Sequence, residues 1–195
     1  SIHGELKRLK MTNGSRGGWV ESIKNTAGHV SLRGENIMPV EKYAKVAGQS
    51  VVTNSAVVTG GATVVGQSKI WGKAEISGDA KLYGNITVSG NAMVYGFAKL
   101  SQLAEVLGGA HVFEKAVLSG HSVVRGTAKI YGSATIKGGW VIGNNEVYGN
   151  ATIEGDPTIY GEAKIYGSAN ISGEAKVGDD AKVYGDSYID GKATI

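Results

Sequence analysis

From Val40 onward an aliphatic residue returns at every sixth position, through Val46, Val52 and Val58 and without exception to Ile136. One step is short, five residues from Ile136 to Val141, and the six-residue series then resumes and runs to Ile195. All 27 stops are Val, Ile or Leu. Two residues before them stands Ala or Ser in 22 of 27 cases, and two residues after them stands Gly in 21 of 26. Placing the short step before Val141 keeps Gly139 at the small position and Gly143 at the glycine position. Small, outward, aliphatic, outward is a period of two, so each six-residue unit predicts one short strand with its small and aliphatic residues facing inward. Gly and the Asn or Asp that often follows it then turn the chain, because they tolerate positive φ. A helix does not fit. Period six leaves no continuous stripe on a 3.6-residue helix, and each interior glycine would cost about 1 kcal/mol.

Six residues make one side and three sides close a triangular coil of 18, so 27 sides give nine coils. The predicted fold class is all-β, a single-stranded parallel β-helix with coils about 4.8 Å apart. It occupies residues 38–195. Residues 1–37 do not follow the repeat and read as a short N-terminal cap, since a solenoid needs its terminal core covered.

The outward positions test the coil length independently. On one side the residue after the aliphatic reads Tyr95, Phe113, Tyr131, Tyr148, Tyr166, Tyr184, an aromatic in six successive coils. Stacked aromatics of this kind support neighbouring strands, and they also offer a surface to a partner subunit or a sugar. A neighbouring side carries a second stripe, Leu107, Val123, Trp140, Ile142 and Tyr160. Outward Trp, Ile and Val beside the short step predict a distorted coil and a buried contact, with homo-oligomerisation as the expected use.

Composition changes this picture little. Glycine is high at 31 of 195 residues, as the turns require, and a hydrophobic content of 42% argues against disorder. With no cysteine there are no disulfides and no thiolate chemistry. The net charge is only +3, and the densest basic run is Lys7, Arg8 and Lys10. That argues against a nucleic-acid partner. No apolar run approaches the ~18 residues that span a bilayer. Nor does Ser1–Glu5 open a secretory signal, so a cytoplasmic or virion location is expected. Residues 1–50 carry eight Lys/Arg and four Asp/Glu, and residues 150–195 carry four Lys and eight Asp/Glu. The repeat is still in register at Ile195. The expectation is that further chain or another copy covers that end, and head-to-tail contact would be electrostatically favourable.

The repeat resembles the hexapeptide-repeat left-handed β-helix superfamily over residues 38–195. Left-handed coiling is implied by that resemblance alone, because ordinary parallel crossovers are right-handed. A narrower resemblance rests on Gly17-Gly18-Trp19-Val20-Glu21, preceded by Leu6-Lys7-Arg8-Leu9-Lys10. It is to bacterial and phage-encoded acyltransferase-like or polymer-forming repeat proteins with no assigned reaction, although residues 25–37 depart from their pattern. The superfamily resemblance implies a trimeric acyltransferase using acyl-CoA, with a histidine as general base near a subunit interface. Of His3, His29, His111 and His121, His111 is the best placed, between Tyr95 and Tyr131 with Glu114 close by. The residues themselves favour the other reading, because the repeats carry no insertion to hold a substrate. The expectation is therefore a non-enzymatic structural or interaction protein, phage-associated on the narrower resemblance. It would need no cofactor and no metal, and would assemble with itself as a trimer or end to end, or bind another protein.

Overall fold

The computed structural model describes residues 44–195, together with the strand backbone at Lys7–Lys10, Arg16–Val20, Thr26–Ala27 and Ser31–Arg33. Val40, His3, His29 and Glu21 lie outside the described residues. Every element described is a strand, most of them two to four residues long. Three parallel sheets form the sides of a solenoid. Face I has ten strands, from Thr26–Ala27 to Tyr188–Ile189; face II has nine, from Ser31–Arg33 to Lys176–Val177; face III has eight, from Val57–Val58 to Lys182–Val183. Each strand pairs with those one coil before and after it, making about eight complete turns.

The register repeats every 18 residues, as in Val58↔Ile76↔Val94 on face III. It becomes 17 across the short step, where Val124 pairs with Val141, Ile130 with Val147 and Ile136 with Ile153. At the N-terminal side it is 20, Thr26 pairing with Val46 and Leu32 with Val52. Lys7–Lys10 and Arg16–Val20 form an antiparallel pair, with Arg8 opposite Trp19.

The core is the predicted one. All 25 aliphatic positions from Val46 to Ile189 are buried, whereas Ile195 is half exposed. Burying each such side chain contributes about 1.5–3 kcal/mol. Each coil stacks them on the coil before, so the core is a continuous column. Ala fills most of the small inward positions, and Ser50, Ser68 and Ser122 are buried there too. Ser50 Oγ donates to the Ala47 carbonyl at 2.9 Å, and Ser68 Oγ to the Gly84 carbonyl at 3.1 Å.

The corner glycines are needed for two separate reasons. At Gly90, φ is +75°, and an added Cβ would lie 2.7 Å from the Gly108 carbonyl oxygen of the next coil. Four corners carry another residue and keep the same conformation: Asn54, Gln102, Glu114 and Asp179 have φ between +50° and +63°. Two of these have a compensating bond. The Glu114 carboxylate accepts from the Gly132 N–H at 2.9 Å, and the Gln102 amide oxygen accepts from the Gly120 N–H, in each case one coil further on.

Candidate functional site: an aromatic ladder and an apolar stripe

Face III carries the aromatic ladder. Tyr95, Phe113, Tyr131, Tyr148, Tyr166 and Tyr184 stack with successive centroid distances of 4.9, 5.0, 4.9, 5.0 and 5.4 Å and interplanar angles of 3–13°. The strand spacing of about 4.8 Å sets this distance and brings the rings to near-parallel contact. Pairs of this kind add about 0.5–1.5 kcal/mol each beyond the area they bury. Inside the ladder each ring face is covered by the next ring, so the surface offers ring edges and a row of phenol hydroxyls. Burial, and then the charge of Glu114, raise the Tyr95 phenol above its ordinary range. Tyr131 is raised by burial first, then by Glu146, Tyr148 and Glu114. Both therefore remain neutral donors at physiological pH.

His111 lies beside the first rung, its ring edge-on to Tyr95 at 6.3 Å and 77°. Its strand neighbours are Met93 and Lys129. The carboxylate that sequence proximity pairs with it, Glu114, instead binds the Gly132 N–H. Among the described residues no hydrogen bond orients the imidazole, and no group of three His, Cys, Asp or Glu could hold a metal ion. No helix among them is long and apolar enough to cross a membrane.

Face II carries the stripe. Trp140 lies between Val123 and Thr158, and Ile142 between Arg125 and Tyr160. Leu107 is one coil before the exposed Arg125, which stands between it and Ile142 in register. None of the five stripe residues is buried; Trp140 is 46% and Tyr160 36% exposed. Tyr160 is held against the next coil, its ring lying over Gly178, where any side chain would strike the ring carbons. Gly178 has no positive φ, so its glycine is there for space alone.

The missing residue is taken up at the corner that leads into Trp140. Gly138 and Gly139, with φ of +115° and +77°, replace the three-residue corner Gly120-His121-Ser122 of the coil before. Gly139 accepts from the Val123 N–H at 3.0 Å, and Trp140 donates to the Pro157 carbonyl at 2.8 Å. The shorter corner leaves the Ser122 hydroxyl buried without a protein partner. One side further on, Asn145 occupies the inward position that Ala fills in the neighbouring coils of face III. It is fully buried, donating to the Ile142 carbonyl and accepting from the Ala163 N–H, both at 2.9 Å. These two bonds tie the strand of Ile142 to the coil that follows.

The structure thus separates the residues singled out by sequence into two groups on adjacent faces, with His111 beside the ladder and apart from the stripe. It adds Asn145, Gly178 and four exposed rings, Trp71, Tyr83, Phe97 and Tyr188. Phe97 stands at a corner position otherwise held by turn residues such as Asp79 and Ser133, and that mismatch is its only sequence signal. Compared with protein-family models and with curated protein sequences, the chain matches none.

Proposed function

We propose that the protein is a β-helical scaffold without catalytic activity that associates with further copies of itself through face II. The observation that carries this reading is the outward group of Val123, Trp140, Ile142 and Tyr160, gathered around the one irregular corner of the repeat. Aromatic and aliphatic side chains of this kind form the centres of protein interfaces, and a contiguous exposed group of them favours burial against a partner. The lone Arg125 beside them suits an interface, where arginine is enriched. The aromatic ladder of face III is the stiff opposite member of the design, its ring faces spent on one another.

Sedimentation velocity over a hundredfold concentration range tests the reading. The wild-type chain is expected as an oligomer, and Trp140→Ser with Ile142→Thr as a monomer of unchanged circular dichroism. A wild-type chain that stays monomeric throughout removes the proposal. Acyl-CoA binding in calorimetry, abolished in His111→Ala, would replace it with the acyl-transfer reading.

A further inference from the structure

The corner between faces III and I holds a cleft of about 530 Å³ lined by Asp79, Lys81, Phe97, Lys99 and Lys115. It lies away from the stripe of face II, and neither the scaffold reading nor the ladder uses it. Three features set the charge of its lining. Lys81 and Lys99 are in direct register on adjacent strands, an arrangement in which like charges repel. Among the described residues, neither they nor Lys115 form an ion pair; the pairs that do form are Lys137–Glu154, Lys164–Glu146 and Lys192–Glu174. The one carboxylate lining the cleft, that of Asp79, folds back over Gly61 towards the preceding coil. Three cations and one carboxylate therefore line the cleft, which leaves it net positive.

Phe97 supplies the second element. Its ring is 60% exposed, and it is not a member of the ladder. Its faces are therefore not taken up by neighbouring rungs. A ring of this kind beside ammonium groups presents a stacking surface next to an anion site. Lysine binds phosphate as a point charge, and bases stack on exposed aromatic rings whatever their identity.

We infer that this cleft binds a phosphate-bearing compound of nucleotide size, with its phosphates among Lys81, Lys99 and Lys115 and a planar ring against Phe97. Its extent favours a compact ligand over a polymer. The positive charge is confined to three coils, about 10 Å at the strand spacing. Along the same corner Phe97 and Lys115 are preceded by Gly61 and Asp79 and followed by Ser133 and Asn150, none of them cationic. The volume also falls within the ~300–1,000 Å³ usual for small-molecule sites.

Calorimetry of the full chain at low ionic strength, with ADP, inorganic pyrophosphate and adenosine as separate probes, tests this. ADP is expected to bind most tightly, pyrophosphate more weakly and adenosine weakest. Lys81→Gln with Lys99→Gln should weaken both anions about tenfold or more, whereas Phe97→Ala should weaken ADP about tenfold and leave pyrophosphate unchanged. All three positions are exposed, so the variants should keep the wild-type circular dichroism and melting temperature. No ADP binding at millimolar concentration, or binding indifferent to the lysine pair, overturns the site. Indifference to Phe97→Ala overturns the ring contact. A single-stranded oligonucleotide that binds more tightly with each added nucleotide overturns the compact ligand in favour of a polymer.

Discussion

Faces II and III absorb the same missing residue, and they do so differently. On face III the ladder crosses the short step without a mark. Tyr131 and Tyr148 are 17 residues apart, yet they stack at 4.9 Å and 5°, as closely as the 18-residue neighbours Phe113 and Tyr131 at 5.0 Å and 8°. On face II the same deletion brings two consecutive positive-φ glycines at the corner and leaves a buried hydroxyl without a protein partner. Strand pairing across coils is indifferent to how many residues lie between the strands, provided a corner can close the gap. The whole cost is therefore local to one corner. Exposed aromatic rings are not confined to the shortened coil, since Trp71 on a regular coil of the same face is as open as Trp140.

The comparison can be broken most severely at the corner itself. Gly139 and Gly185 share a positive φ, +77° and +67°, but a Cβ at Gly139 would lie 2.6 Å from the Pro157 carbonyl oxygen, and one at Gly185 would meet nothing within 4 Å. Gly139→Ala is expected to destabilise by about 3 kcal/mol or more, from conformational strain plus the clash, and Gly185→Ala by only about 1. Thermal melts of the two variants read this directly, and equal losses would show that strain alone governs the corners.

Asn145→Ala comes next, at about 2 kcal/mol. It leaves the buried Ala163 N–H and the half-buried Ile142 carbonyl unpaired, although it restores the residue found elsewhere on face III. Amide exchange at Ala163 should quicken. A variant as stable as wild type would mean that Asn145 is not what anchors the altered coil.

On the regular face the expected effects are smaller. Tyr148→Ala breaks two stacking contacts and Tyr184→Ala breaks one, so the first should cost about twice the second, near 1–2 kcal/mol in denaturant unfolding. Equal costs would mean that the rings act singly and not as a ladder.

The smallest effect is a pH dependence. Because the folded phenols of Tyr95 and Tyr131 are raised, the folded chain holds those protons more tightly than the unfolded chain. The associated stability is fully present below the ordinary tyrosine range and is lost as pH climbs through the raised values. Absorbance titration of tyrosinate should show these two phenols ionising late. Glu114→Gln should bring Tyr95 only part of the way back, since burial is the larger cause. A full return would make Glu114 the main influence.

Much of this architecture is legible in the chain. The buried column from Val46 to Ile189 follows from the six-residue spacing, and the ladder follows from reading outward positions at intervals of one coil. Four corners that lack glycine, at Asn54, Gln102, Glu114 and Asp179, are visible as exceptions, but their conformation is not. Asn145 reads only as a break in the run of small residues, because its two partners belong to the next coil and to the preceding strand. Gly178 is likewise unreadable without Tyr160, which lies 18 residues before it. The pairing of Glu114 with Gly132, where sequence proximity pointed to His111, has the same origin.

The sequence by itself determined the fold, its period and the place of its five-residue step. Inward and outward positions alternate with the backbone, and a repeat states that alternation many times over. The tertiary structure alone decided which groups meet between coils: the amide of Asn145 with the Ala163 N–H, the ring of Tyr160 on Gly178, and Lys115 beside Phe97. Those contacts join residues a full coil apart, where the strand spacing and the direction of each side chain, more than order along the chain, bring groups within bonding distance.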